Sequence, residues 1–150
     1  SDYNEIYIAK GIVMSVTKSE NSDEWFFSSD QYILSETDDK GLIVYANDLF
    51  CEMADYKLDE LIGEPHNIVR HPDMPRIAFK GLWDDIQSKG FWTGIVKNIR
   101  KDGGHYWVHA TALRKIHKDG RVTYLSVRRV PSRREIEACI PLYAELKSSE

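Results

Sequence analysis

Residues able to do chemistry crowd into Gly63-Glu64-Pro65-His66-Asn67-Ile68-Val69-Arg70-His71-Pro72-Asp73-Met74-Pro75, which holds two His, one Arg, one Asp, one Asn and three Pro in thirteen positions. Each Pro removes an N–H donor, fixes φ and pushes its predecessor towards extended geometry. The run therefore suits a stiff loop that holds polar side chains in place. Arg70 offers a forked donor set matched to phosphate or carboxylate, and His71 donates hydrogen bonds and titrates near neutral pH. A structural reading stands beside this one. In it Asp73 caps the following helix and pairs with Arg70, and Pro75 occupies the first turn. His66, His71 and Asp73 are zinc-ligand types, but no Cys stands with them and no metal site is assigned.

Other residues draw attention one by one. Asn98 falls in a β-prone run, where Asn is disfavoured, and its amide can both donate and accept. The alternative places it in solvent near the strand end. Trp83 lies on an apolar helical stripe and reads as core packing or as a wall against a bound ring. Asn47 at a strand-to-helix junction reads as a helix cap or as a ligand contact. Gly103-Gly104 is a hairpin turn rather than a phosphate loop, since no Lys-Ser/Thr follows. No nucleophile–base order, metal cluster or paired carboxylates stand out, so no enzyme activity is assigned and no catalytic residue is named.

The elements that would position these residues follow from periodicity. Tyr3 to Val16 carries Ile6, Tyr7, Ala9, Val13 and Val16 in a roughly helical pattern weakened by Gly11. A polar linker, Lys18 to Asp23, precedes the aromatic patch Trp25-Phe26-Phe27. Gln31–Thr37 and Leu42–Ala46 flank the turn Asp38-Asp39-Lys40-Gly41 as a first hairpin. Short helices follow, from Asp48 to Ala54 and over Lys57–Ile62, closed by Gly63. Ile77–Lys89 is a longer helix with Phe79, Leu82, Trp83 and Ile86 on one face and Gly90 at its end. Phe91–Arg100, His105–His117 and Arg121–Val130 are three strands joined by Gly-containing turns. Ser132 with Glu135 forms a capping box for a last helix to about Lys147. The sum is an α+β fold, a five-stranded antiparallel sheet with short helices on one face and a helix at each end, able to enclose a pocket between its layers.

At 150 residues the chain suits one principal domain. A net charge of −4 argues against a general nucleic-acid surface. No apolar run approaches the roughly 18–20 residues needed to span a bilayer. Cys51 and Cys139 are far apart, which fits reduced thiols in a reducing compartment. The first residue is Ser1 rather than Met, which fits a piece of something longer.

From about Gln31 to Lys147 the chain resembles the PAS domains of bacterial aerotaxis receptors and related energy-taxis proteins. The resemblance is carried by Ala46-Asn47-Asp48 with Phe50; by Gly63, Pro65-His66-Asn67 and Val69-Arg70-His71-Pro72-Asp73-Met74-Pro75; and by Ala78-Phe79 and Trp83. It continues through Trp92-Thr93-Gly94-Ile95-Val96-Lys97-Asn98 with Arg100-Lys101, His105-Tyr106-Trp107-Val108 with Ala110, Ser126-Val127-Arg128, and Pro141-Leu142-Tyr143. It implies a PAS sensor domain over 31–131, preceded by a helical extension and linker over 1–30 and followed by a C-terminal helix over 132–150.

The resemblance further implies a cytoplasmic sensor that holds FAD without a covalent bond and reads its redox state as a measure of respiratory electron flow. The signal would pass to a chemoreceptor signalling module in the same or another chain, with membrane association only through a partner or a further segment. A homodimer through the terminal helices or the sheet is expected, with no nucleic acid and no membrane span in this chain. The cofactor-binding residues it implies are Arg70, His71, Asp73, Trp83, Asn98 and Asn47. Asn98 would face the flavin nitrogen that is an acceptor when oxidised and a donor when reduced. Cys51 sits at the wrong place for a light-driven thiol adduct. The competing readings are a PAS module for haem, with His66, His71, His105 or His117 as axial ligand, one for a metabolite, or a ligand-free dimerisation module.

Overall fold

The computed structural model describes Ile8–Ala9, Ile12–Val13 and residues 16–150. Two small ladders come first: β1 (Ile8–Ala9) with β2 (Ile12–Val13), and β3 (Val16–Lys18) with β4 (Trp25–Phe27). The helix expected over Tyr3–Val16 is thus replaced by strand at its described positions, and its other positions lie outside the described residues. β-branched Ile8, Ile12, Val13 and Val16 favour extended backbone, and Gly11 weakens the helical alternative.

The main sheet comprises β5 (Ile33–Thr37), β6 (Ile43–Ala46), β7 (Phe91–Ile99), β8 (His105–Ile116) and β9 (Val122–Arg129), all antiparallel in the order β6-β5-β9-β8-β7. The first hairpin closes through Asp38, whose carboxylate accepts from the Lys40 and Leu42 N–H groups, with Gly41 at φ 82°. Helices α1 (Asp48–Ala54), α2 (Leu58–Leu61) and α3 (Arg76–Lys89), with a 3-10 turn at His66–Val69, lie between β6 and β7 in sequence. They cover one face of the sheet around a core of Ile33, Ile43, Phe50, Met53, Leu61, Val69, Tyr106 and Val108.

The final helix, α4 (Arg133–Ser148), starts at the capping box read from the sequence: Ser132 Oγ accepts from Glu135 N–H, and the Glu135 carboxylate accepts from Ser132 N–H. It packs on the opposite face. Tyr143 donates to the Ile95 carbonyl (2.6 Å) and stacks on Trp107 (ring centroids 6.5 Å apart). Ile95 and Trp107 alternate with the inward residues Val96 and Val108, which fixes the side.

The aromatic patch at 25–27 is tied into the same body. Phe27 is 5% exposed within the main core, so the packed unit reaches beyond the boundary expected at residue 31. Arg100 lies 3.6 Å over the Trp25 ring, the Asp23 carboxylate meets His105 (2.9 Å), and Glu24 pairs with Arg133 through both oxygens (3.0 Å each).

Asn47 joins three elements. Its side-chain oxygen accepts from the Phe50 N–H at the start of α1 and from the Leu34 N–H, and its amide donates to the Tyr32 carbonyl. Replacing Asn47 by Ala is expected to lower folding stability by about 1–2 kcal/mol. A fall in the urea midpoint with unchanged slope would show this, and an unchanged midpoint would contradict it.

Candidate functional site

The helical layer does not rest flush on the sheet. Between them lies a cavity of about 280 Å3. The apolar stripe of α3 read from the sequence, Phe79, Leu82, Trp83 and Ile86, forms one wall. Facing it are Trp92, Val96 and Asn98 of β7, Ala110 and Ala112 of β8, and Tyr124, Ser126 and Arg128 of β9. The small side chains at 110, 112 and 126 leave the space open. At Gly94 a Cβ would sit 2.3 Å from the Trp92 indole, so only Gly lets that ring lie flat along the strand. Trp83 is 40% exposed, because its stripe borders a void rather than solid core, and it meets Tyr124 edge-on at 5.2 Å.

The Pro-rich run closes one end, where Pro65, His66, Asn67, Val69 and Arg70 join the lining, as do Thr37, Lys40 and Gly41 of the first hairpin. Main-chain bonding puts Arg70 there. It forms an antiparallel bridge with Asn98, and the His71 N–H donates to the Lys97 carbonyl (3.3 Å). The Arg70 guanidinium sits 3.6 Å over the Phe79 ring, and its Nε is buried without a hydrogen-bond partner.

Of the six residues singled out from the sequence, the structure brings Arg70, Trp83 and Asn98 together on the cavity. Asn98 is 5% exposed and stands opposite Tyr106, whose hydroxyl is pushed up to about 12 by burial. Asn47, His71 and Asp73 are outside the lining. Asn47 is engaged in the cap described above. The His71 Nδ1 accepts from the Asp73 N–H (3.0 Å), and its ring lies edge-on to His105. Burial, then the Lys97 charge, holds its pKa below the ordinary imidazole value. Asp73 pairs with Lys97 (2.9 Å), a hydrogen bond that lowers its pKa. It neither caps α3, whose N-cap is Pro75 without a side-chain bond, nor pairs with Arg70. His71 and Asp73 therefore shape the loop that presents Arg70.

Two polar lining residues escaped the sequence reading as a pair. Arg128 is 4% exposed and donates to Ser35 Oγ (3.0 Å) and to His66 Nε2 (2.7 Å). Burial lowers its pKa to about 10. His66 is held at about 3, from 6.5, by burial first and the Arg128 charge second. Strand alternation disguised Arg128: apolar Leu125 and Val127 invite the inward positions, yet polar Ser126 and Arg128 take them. Among the described residues, no Asp or Glu belongs to the lining, whereas Lys40, Arg70 and Arg128 do. Neither Cys51 nor Cys139 belongs to it, so no thiol is at hand for an adduct there.

A family model for the PAS fold matches residues 43–127. The chain belongs to the PAS family. Among curated proteins, the PAS chain is 43% identical over 122 residues to the aerotaxis receptor of Escherichia coli K12, covering 81% of this chain and 24% of the receptor. It is 29% identical over 97 residues to the nitrogen fixation regulatory protein of Klebsiella oxytoca, covering 64% of this chain and 20% of that one. The chain thus spans about a quarter or less of the length of these relatives. Among solved structures, a light-oxygen-voltage domain from a flavin-analogue study superposes with TM-score 0.65 at 23% identity, covering 77% of this chain and 88% of that one. The PAS domain of a Colwellia psychrerythraea protein gives 0.62 at 21%, covering 68% and 87%. At these identities they show the fold: an α+β PAS domain with a five-stranded antiparallel sheet. Among the described residues, no helix is long and apolar enough to cross a membrane.

The half-buried His66, packed against Arg128, makes a pH prediction. Between about 6.5 and about 3 the unfolded chain binds a proton at this position that the folded chain refuses. Its contribution to stability is complete above 6.5 and is lost as pH falls through that window. Replacing His66 by Gln is expected to flatten the decline of urea-unfolding stability over this range. An identical pH dependence in the variant would contradict it.

Proposed function

We propose that this PAS domain is a redox sensor of a bacterial energy-taxis pathway, holding FAD without a covalent bond and passing its state to a signalling module in the same or another chain. On this reading it works in the cytoplasm and catalyses no reaction. The observation that carries it is the cavity's chemistry: aromatic walls from Phe79, Trp83 and Trp92, with the cations Lys40, Arg70 and Arg128 and no acid among the described residues. That combination suits a flat, electron-poor, anionic ligand. The similarity to an aerotaxis receptor supports the taxis setting.

The residues present fit the cofactor in stated ways. A cavity of about 280 Å3 suits the ring system rather than a whole dinucleotide, so the phosphates would lie towards the rim. Arg70 has an unused buried Nε and is suited to an anionic or carbonyl oxygen. Trp83 and Phe79 would cover the ring and exclude water. The Asn98 amide can answer a ring edge that is a donor in one redox state and an acceptor in the other. FAD, when bound, would supply the reversible electron chemistry; the protein supplies position, shielding and charge.

From β7 the output route is short. Val96 and Asn98 face the cavity, while Lys97 between them meets Asp73 and the carbonyl of the preceding Ile95 meets Tyr143. A change in how Asn98 is bonded would therefore be felt by α4. As for haem, the Nε2 of His66, the His of the lining, is already taken by Arg128, which disfavours that reading.

An absorption spectrum of the purified protein tests the proposal. A flavin spectrum whose cofactor is released by heat denaturation is expected, and Arg70→Met should weaken FAD binding at least about tenfold. Protein that is colourless and stays free of FAD after refolding with an excess of it would overturn the proposal, and a Soret band would point to haem instead.

A further inference from the structure

Among the described residues, Arg128 is a charge without a counter-charge. Its partners there are neutral: the Ser35 hydroxyl, the His66 imidazole and, at 5.5 Å, the Phe50 ring. Because Arg128 donates to His66 Nε2, that ring carries its proton on Nδ1 and is uncharged. The Ser35 hydroxyl lies 3.3 Å from the same nitrogen and holds the pair in register. Tyr106 of β8, the other titratable neighbour, stays protonated because it is buried. The remaining charged groups of the lining, Arg70 from the loop and Lys40 from the first hairpin, are positive as well. Folded proteins rarely bury a charge unpaired. Here the described residues supply no anion, but they leave a space beside the guanidinium.

We propose that Arg128, seated by Ser35 and His66, is the receptor for negative charge carried on the ring of the bound ligand, so that the cavity prefers a fused-ring heterocycle in its anionic form. This rests on the FAD reading and deepens it, giving Arg128 a role of its own beyond adding to the positive lining. The neutral partners matter as much as the cation. A carboxylate at position 35 or 66 would neutralise Arg128 internally, and the ligand would gain nothing from its own charge. The acceptor atoms of Ser35 and His66 fix the guanidinium plane without consuming its charge, leaving its other N–H groups for the ligand. A merely structural Arg128, fastening β9 to the 3-10 turn, would hold the fold equally well but would leave the ionisation of a bound ring unaffected.

The proposal is tested with FAD bearing a thiol on its ring, 8-mercapto-FAD, whose ionisation is read from the visible spectrum. Bound to the wild-type protein, the analogue should lose its proton at least tenfold more readily than it does free in water. Arg128→Gln should reverse that gain at least tenfold, with Arg128→Lys, which keeps the charge, falling between. A wild-type complex that titrates like the free analogue overturns the proposal, as does an Arg128→Gln complex that titrates like wild type, and in both cases FAD binding itself stands. Failure of the wild-type protein to bind either FAD or the analogue overturns the FAD reading and this proposal together. Should Arg128→Gln not fold, the comparison of wild type with free analogue still decides.

Discussion

The pairing of the Pro-rich loop with β7 is the constraint on which the rest depends. Arg70 bridges Asn98, the His71 N–H reaches the Lys97 carbonyl, and the Lys97 N–H meets the Met74 sulfur. These ties make the loop a makeshift neighbour of the sheet's edge strand. α3 begins directly after it, so the same ties set how far that helix stands off the sheet. A helix packed flush would fill the cavity with its own Phe79, Leu82 and Trp83. Held where it is, it leaves room for a ring.

Charge follows from that geometry. The loop delivers Arg70 to one end of the cavity, and the 3-10 turn delivers His66 to Arg128. Acidic groups near the loop are directed elsewhere: Asp73 is drawn outward by Lys97 and Asp23 by His105. The positive lining is therefore not a matter of composition, since the chain as a whole carries a net charge of −4. It comes from the sorting of acids to the outside and guanidinium groups to the inside. Buried guanidiniums cost stability in the empty protein and favour an anionic occupant.

β7 also sets the relation between the cavity and the rest of the molecule. Side chains alternate across a strand, so each cavity-facing residue has a neighbour on the other face. Tyr143 of α4 bonds the carbonyl of one such neighbour, Ile95, and stacks on Trp107. Arg133, at the start of α4, reaches back to Glu24 near the first ladders. The start of α4 thus meets the segment before β4, while Tyr143 further along α4 ties the same helix to β7.

Local signals in the sequence were strong wherever a single element decided the outcome. The Asp38–Gly41 turn, the Ser132 capping box and the α3 stripe were readable because turn chemistry, capping and 3.6-residue periodicity act within a few residues. So was the α+β order, and with the family words the PAS fold. The first segment misled, because weak helical spacing over Tyr3–Val16 competes with β-branched residues, and strand pairing decided its described part. The site was only half readable. Arg70, Trp83 and Asn98 stood out by residue type, whereas Arg128 lies in a strand whose sequence does not by itself say which face turns inward. Which face of β9 turns inward is set by its register between β5 and β8, a pairing of residues distant in sequence. Residue order thus settled the elements and their caps. The cavity, its uncompensated charge and the outward turn of His71 and Asp73 were decided only when distant strands and the loop came into register, since a one-residue slip exchanges every side chain between the two faces.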